Sequence, residues 1–243
     1  MNIITGMHRS GTSLVTRIFY LMGCDLGNPE SFYPPDSWNP DGYFEQKDIH
    51  KINMPLVNGM FGKFSYFSLP STDTILKRGR KMSNLIKDTY LKYNGVLVKE
   101  TRFCLTMPAW IAEGAKFEKV IICLRHPFEV ANSIQKRNHT ILKHGYYLFN
   151  VHNERILQHT QQANSKIWIV SYANLLKKDH AQNEIEGALD FMEIKYSKED
   201  LDQCLRKIIR SPRNKIKDLN VKLPTKTNLI YQNLLEQHKS QFS

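Results

Sequence analysis

The feature that most constrains the fold is the loop between the first strand-like and the first helix-like stretch. Asn2–Thr5 is a short run rich in β-branched residues, and residues 13–22 carry apolar side chains at helical spacing until Gly23. Between them lies a loop bracketed by Gly6 and Gly11. Such a strand–loop–helix turn aims backbone N–H groups and a helix N-terminus at one point. The sequence therefore predicts an anion-binding site at the end of the first strand.

The side chains of this loop indicate which anion it suits. Ser10, Thr12 and Ser13 add hydroxyl donors, and Arg9 adds a fixed positive charge. The two glycines are spaced as in a Walker A loop, but Thr12 stands where the lysine of that loop should follow the second glycine. An ATP site without this lysine lacks its main contact to the β- and γ-phosphates. The positive charge stands at Arg9 instead.

Strand-like and helix-like stretches alternate along the rest of the chain. Further strands are predicted at residues 96–98, Lys119–Leu124 and 167–171, and further helices at 105–114, from Pro127, and from a cap at 197–200 to residue 209. We expect a single α/β domain over residues 1–243, a three-layer sandwich with a mostly parallel central sheet, like that of P-loop NTPases. Because such sheets bind ligands at the carboxyl ends of their strands, the chemistry is expected there.

Composition narrows the classes of partner. The chain has 34 Lys and Arg against 23 Asp and Glu, a formal charge of +11, which favours nucleic acid, an acidic membrane or a small polyanion. The longest apolar run, residues 120–124, is too short to span a bilayer, and no nucleic-acid motif appears. Four scattered cysteines without a CxxC pair, and no room for a signal peptide before the first strand, favour the cytoplasm.

Two motifs carry a resemblance to a known family. Arg9-Ser10-Gly11-Thr12 resembles the 5′-phosphosulfate loop of sulfotransferases that use 3′-phosphoadenosine 5′-phosphosulfate (PAPS). Arg125 at the end of Lys119–Leu124, with Ser133 eight residues later, is similar to the pair that holds the 3′-phosphate in that family. Physically, Arg125 offers bidentate donors, and Ser133 lies about two turns along the following helix. The resemblance implies a bacterial-type soluble member that uses PAPS, releases 3′,5′-ADP and needs no metal.

The resemblance extends to three further segments. Residues 39–45 are similar to an Asn…Gly-aromatic-aromatic-Glu signature, and residues 99–102 follow a strand where relatives carry Lys-Asp-Pro-Arg. Tyr172 stands in a segment that lies near the adenine in relatives, although Ala173 and Asn174 depart from the pattern. The resemblance thus implies these donor-binding residues: Arg9, Ser10, Gly11, Thr12, Ser13, Arg125, Ser133 and Tyr172.

Sulfuryl transfer to a hydroxyl needs a general base, donors for the sulfuryl group and positive charge for the leaving phosphate. Arg9 is the candidate for the charge. Two carboxylates compete for the base: Glu45, which we favour and whose pKa burial should raise, and Glu100 at a strand end, with Lys99 as possible support. Glu100 has an alternative role as the partner of a neighbouring cation or of backbone amides.

Other features leave alternatives open. The aromatic loop 28–44 is either a lid or acceptor wall, or a loop pinned by its own rings. The basic run 77–81 is interpreted as a solvated helix start, and His8 and His126 are expected to pack or orient. Four late basic residues are candidates for the 3′-phosphate: Arg206, Lys207, Arg210 and Arg213.

The leading hypothesis is a sulfotransferase that moves a sulfuryl group from PAPS to a hydroxyl or amine of a small molecule or glycan. A P-loop kinase of a small molecule is the enzymatic alternative, opposed by the missing Walker lysine. A basic nucleic-acid-binding protein is the non-enzymatic alternative. The sequence does not identify the acceptor.

Overall fold

The computed structural model describes residues 1–37, 39, 42–58, 68–209 and 221–242. Within them, four parallel strands form one sheet in the order β2-β1-β3-β4: β1 Asn2–Thr5, β2 Leu97–Lys99, β3 Lys119–Leu124 and β4 Lys166–Ser171. The helices are α1 Thr12–Leu21, α2 Lys47–Asn58, α3 Thr72–Arg80, α4 Ser83–Lys92, α5 Phe103–Ala112, α6 Pro127–Asn138, α7 Leu142–Gln162, α8 Tyr172–Leu175, α9 Lys178–Phe191, α10 Lys198–Ile209 and α11 Thr225–Ser240.

The sheet is buried on both faces, which makes three layers. Ile3 and Ile122 point into one core with α2 to α7 and α11, while Ile4 and Ile121 point into a second core with α1, α8, α9 and α10. Neighbouring residues of a strand point to opposite faces, so strands covered on both sides are apolar at nearly every position. The predicted α/β class with a parallel central sheet is confirmed, and all four predicted strands form.

Local signals explain where the helices that flank the site begin and end. Gly11 adopts φ +91° immediately before α1, and Gly23, with φ +78°, follows its last turn. At α6, Pro127 occupies the first helical position, where its missing N–H is not needed, and His126 Nδ1 accepts from Phe128 N at 3.3 Å. Ser197 Oγ caps α10 as predicted.

The interpretation of residues 77–81 as a helix start is wrong. They form the last turn of α3 and the residue after it, where positive charge is favoured by the helix dipole. Arg78 Nη1 donates to the carbonyl oxygens of Leu56 and Val57 at 2.7 and 2.8 Å, so it holds the end of α2. In the part of the chain that the structure describes, no helix is both long and apolar enough to cross a membrane.

Candidate active site

The two predicted motifs meet because β1 and β3 are neighbours, with Thr5 paired to Ile122. Arg9 Nε donates to Ser133 Oγ at 2.9 Å, and Arg125 Nη1 donates to the carbonyl oxygen of Arg9 at 3.2 Å. Arg9 itself adopts φ +72°, an uncommon backbone conformation for a residue with a side chain. The glycine loop and the Arg125–Ser133 pair therefore form one continuous wall at the carboxyl edge of the sheet.

Tyr172 fixes the loop against β4. A Cβ atom at Gly11 would come within 2.3 Å of Tyr172 Cδ2, so the ring lies directly on the glycine backbone. The guanidinium carbon of Arg125 lies 4.3 Å from the centroid of the same ring, within cation–π range. Arg125 also pairs with Glu129, whose Oε2 lies 3.2 Å from Arg125 Nε. Tyr172 and Glu129 together orient the guanidinium.

A cavity of about 330 Å³ opens at this edge. Seven of the eight predicted donor-binding residues line it: Arg9, Gly11, Thr12, Ser13, Arg125, Ser133 and Tyr172. The side chain of the eighth, Ser10, is buried beneath the loop, and its N–H closes a turn to the carbonyl oxygen of Met7 at 3.1 Å. Ser10 thus shapes the loop, and its hydroxyl does not face the cavity.

Glu45 also lines the cavity and belongs to a buried ion network. Its Oε1 pairs with Lys99 Nζ, and its Oε2 lies 3.6 Å from Arg102 Nη1 and 3.7 Å from His50 Nδ1. Burial by itself would raise the pKa of Glu45, but Lys99, His50 and Arg102 outweigh it and hold that pKa below its ordinary value. The expected raised pKa is wrong, and Glu45 is a carboxylate at neutral pH.

Glu100 lies behind this network, fully buried, and does not line the cavity. Its Oε1 accepts from the backbone N–H of Arg102 at 2.9 Å and from Arg102 Nη1 at 2.8 Å. This is the alternative role considered for Glu100, as partner of a cation and of a backbone amide. Of the two candidate bases, Glu45 is the one that lines the cavity.

One group in the described residues has metal-ligand character. Ligand atoms of Glu45, His50 and Glu100 lie within 4.8 Å of one another. Lys99 pairs with Glu45 Oε1 and Arg102 pairs with Glu100 Oε1, whereas Glu100 Oε2 is buried without a hydrogen-bond partner among the described residues. Two cations therefore offset the charges of the two carboxylates.

Two solved structures resemble the fold of this chain over nearly its whole length. The sulfotransferase domain from the curacin biosynthetic pathway is 15% identical, with 97% of each chain covered and a TM-score of 0.54. This chain has a sulfotransferase fold. The sulfotransferase domain from the Synechococcus PCC 7002 olefin synthase is 14% identical, with 97% of this chain and 94% of that chain covered and a TM-score of 0.55. No protein-family model and no curated protein matches the chain.

In this sulfotransferase fold, His8 and His126 make orienting and packing contacts. His8 Nδ1 lies 3.0 Å from Thr101 Oγ1, and its ring meets that of His152 edge to face, with 5.7 Å between centroids. Burial, Arg102 and His152 hold the pKa of His8 well below 6.5. His126 caps α6 and packs edge to face on Tyr231.

Two basic residues of the cavity escaped the sequence reasoning. Arg17 lies one helical turn after Ser13 in α1, and Arg137 lies one turn after Ser133 in α6; both line the cavity. The signal that finds them is the helical repeat, because residues four apart share a helix face. Lys207 also lines the cavity and Arg206 does not, while Arg210 and Arg213 lie outside the described residues.

The rings of the aromatic loop 28–44 are pinned by their neighbours. The centroid of Phe44 lies 6.0 Å from that of Phe32, and Tyr33 lies 4.3 Å from the ring of His50. Tyr43 Oη donates to Asp36 Oδ2 at 2.7 Å, yet Tyr43 also lines the cavity. Asn39 of the same loop lines the cavity as well, and Trp38 lies outside the described residues. The loop is therefore both pinned and a wall of the cavity.

Proposed function

We propose that this chain is a PAPS-dependent sulfotransferase that transfers a sulfuryl group to a hydroxyl or amine of a small-molecule or glycan acceptor. The observation that carries the proposal is the junction of two anion-binding elements in one cavity, where Arg9 Nε donates to Ser133 Oγ at 2.9 Å. PAPS differs from ordinary nucleotides in carrying anionic groups at both its 3′ and 5′ positions. A cavity with two separate anion-binding elements suits such a molecule.

The residues present fit the donor in the following way. Arg9 and the backbone amides at the start of α1 bind the 5′-phosphosulfate, since this helix end presents N–H groups and positive charge. Arg125 and Ser133 bind the 3′-phosphate, with Glu129 and Tyr172 orienting the guanidinium. On binding, Ser133 exchanges its contact with Arg9 for one with a phosphate oxygen.

Glu45 is the proposed base. It faces the cavity as a carboxylate and accepts the proton of the acceptor hydroxyl as that oxygen attacks sulfur. The bond between sulfur and the bridging phosphate oxygen breaks, and its electron pair goes to the phosphate, where Arg9 and the α1 amides meet the charge. Lys99, which pairs with Glu45 and lines the same cavity, keeps the carboxylate in place and adds positive charge near the transferred group.

A thermal-shift series tests the donor. The melting temperature is measured with 3′,5′-ADP in EDTA, with 5′-AMP in EDTA, and with ATP plus Mg²⁺. The proposal predicts clear stabilisation by 3′,5′-ADP, less by 5′-AMP and little by ATP with Mg²⁺, because at equal concentration the ligand that binds the folded state more tightly stabilises it more. Stabilisation by ATP with Mg²⁺ alone contradicts the proposal and favours a P-loop kinase.

A further inference from the structure

Side chains hold the outer side of strand β4. Among the described residues β4 stands at one edge of the sheet, and an edge strand presents N–H and C=O groups that no neighbouring strand pairs. Gln241 Oε1 accepts from the N–H of Ile169 at 2.6 Å, and Gln241 Nε2 donates to the carbonyl oxygen of Ile169 at 3.0 Å. Two residues further along the strand, Glu184 Oε1 accepts from the N–H of Ser171 at 2.5 Å. A carboxylate therefore holds the carboxyl end of β4.

Glu184 contacts the chain on both sides of Tyr172. Ser171, whose N–H it accepts, comes immediately before Tyr172, and Asn174 Nδ2, two residues after Tyr172, donates to Glu184 Oε2 at 2.9 Å. The side chain of Glu184 is 1% exposed, and it extends from α9 without lining the cavity. Because a buried carboxylate must keep its hydrogen bonds, it fixes the position of the groups that donate to it.

His238 connects this carboxylate to the C-terminal helix α11. Its Nε2 lies 2.9 and 3.0 Å from the two oxygens of Glu184, and its side chain is buried. The same helix reaches the neighbouring strand end, since the ring of Tyr231 packs edge to face on His126, the residue after Arg125. Helix α11 is thus linked to the turns that follow both β3 and β4.

Tyr172 is the link between this support and the proposed donor site. Its ring lies on the Gly11 backbone, and the guanidinium carbon of Arg125 lies 4.3 Å from the ring centroid. Gly11 belongs to the loop proposed for the 5′-phosphosulfate, and Arg125 is proposed for the 3′-phosphate. A shift of residues 171–174 would therefore move the ring that both donor elements contact.

We propose that Glu184 is a positioning residue for donor binding: together with His238, it holds the backbone around Tyr172 so that the ring stays packed on both donor elements. The inference rests on the proposed sulfotransferase function and adds to it two residues, in α9 and α11, that lie outside the cavity. Because both act through Tyr172, loss of either should weaken nucleotide binding only where that ring is present.

Calorimetry with 3′,5′-ADP on single and double variants tests the inference. Glu184→Gln keeps the size of the side chain but replaces one acceptor oxygen by an NH₂ group. We expect it to weaken 3′,5′-ADP about tenfold, the size of one lost hydrogen bond to a charged group. Tyr172→Ala should weaken binding as well. In that background Glu184→Gln should have little further effect, because the ring through which it acts is gone.

Two variants of His238 keep the test valid if Glu184→Gln does not fold. His238→Leu should weaken 3′,5′-ADP about fivefold, whereas His238→Gln, whose amide can donate to Glu184, should restore most of the affinity. Trp110→Phe is the control for general destabilisation. It removes a buried hydrogen bond of 2.9 Å to Asn53 Oδ1, between two residues that do not line the cavity, and should leave the affinity unchanged.

The outcomes separate the two proposals. If the unaltered protein does not bind 3′,5′-ADP, the proposed function fails and the inference fails with it. If it binds, but the Glu184 and His238 variants bind equally well, the inference is wrong and the proposed function stands. An equal further loss from Glu184→Gln in the Tyr172→Ala background would show that Glu184 does not act through Tyr172, which also overturns the inference. A loss in Trp110→Phe as large as in Glu184→Gln would assign the effect to general destabilisation and contradict the positioning role.

Discussion

Two regions of the cavity differ in how their charged side chains are paired. The donor end contains Arg9, Arg125 and Ser133, and the base end contains Glu45 and Lys99. At the donor end, Arg9 is bound to a serine hydroxyl and Arg125 shares one carboxylate, so positive charge exceeds negative charge. At the base end, two carboxylates and two cations form a buried network whose charges are balanced within the protein: Glu45, Glu100, Lys99 and Arg102. The comparison teaches that the proposed donor end has positive charge in excess, which suits an anion, whereas the ion pairs of the base end are already formed within the protein. Substitutions at the first should change binding, and those at the second should change stability.

Glu45→Gln is expected to give the largest effect. Removing the proposed base should lower transfer by about 10²- to 10⁴-fold, because general base catalysis contributes on that order. Affinity for 3′,5′-ADP should stay nearly unchanged, since Glu45 is not among the residues assigned to the nucleotide. Turnover is measured with radiolabelled PAPS and an acceptor found by screening. Glu100→Gln is the matched comparison, and full turnover in Glu45→Gln would move the base elsewhere.

The free energy of unfolding should reveal how strongly Lys99 and Glu45 depend on each other. Lys99→Met or Glu45→Gln alone should lower the free energy of unfolding by about 3–5 kcal/mol, because each leaves a buried charge without its partner. The double variant should lose clearly less than the sum of the two, as measured by denaturant unfolding. Strictly additive losses would show that the two side chains do not depend on each other.

Acid should destabilise the fold through two buried histidines of α7, His152 and His159. Burial lowers the pKa of His152 and of His159 to about 4, so both stay neutral when folded, while the unfolded chain takes up their protons below pH 6.5. The free energy of unfolding should therefore fall as the pH falls from about 6.5 to about 4, by roughly 2 kcal/mol per histidine at pH 5.

Denaturant unfolding at several pH values measures this loss, and His159→Leu should flatten the pH dependence by its share. Arg9 and Arg125 of the donor end should add little to this pH dependence, because arginines do not titrate in this range. An unchanged slope in His159→Leu would contradict the assignment.

Gly11→Ala should disturb the donor end by a smaller amount. The new methyl group would meet Tyr172 Cδ2 at 2.3 Å, and the backbone at φ +91° disfavours any side chain. We expect a loss of about 1–3 kcal/mol in stability together with weaker 3′,5′-ADP binding, because the loop must move away from Tyr172. Gly23→Ala, also at positive φ but with no atom within 4 Å of the added carbon, separates backbone strain from the collision.

Sequence reasoning found most of the residues that line this part of the cavity because their motifs are local. A strand, a glycine loop and a helix in succession mark Gly11 and Arg9, and a strand followed by Arg125 and Ser133 marks the second element. Each is read within about a dozen residues, and the parallel pairing of β1 and β3 then brings the two together.

The base end was harder to predict from the sequence because its contacts join residues that are far apart along the chain. Glu45 and Lys99 are 54 positions apart, so the ion pair that lowers the pKa of Glu45 has no local sequence signal. Burial alone, the one effect that neighbouring aromatics suggest, predicts the opposite direction. Arg137 was missed for a different reason. Most arginines on helices lie at the surface, and only the packing of α6 shows that this one lines the cavity.

The measurement that tests the central claim most directly compares 3′,5′-ADP with 5′-AMP. Calorimetric affinities are determined for the unaltered protein, Arg125→Ala and Arg125→Lys. The account predicts that Arg125→Ala weakens 3′,5′-ADP by about 10- to 100-fold, as expected for lost hydrogen bonds between charged groups. Binding of 5′-AMP should change little, and Arg125→Lys should lie between. Equal weakening of both nucleotides would contradict a separate 3′-phosphate site at Arg125, and with it the claim of two anion-binding elements in one cavity.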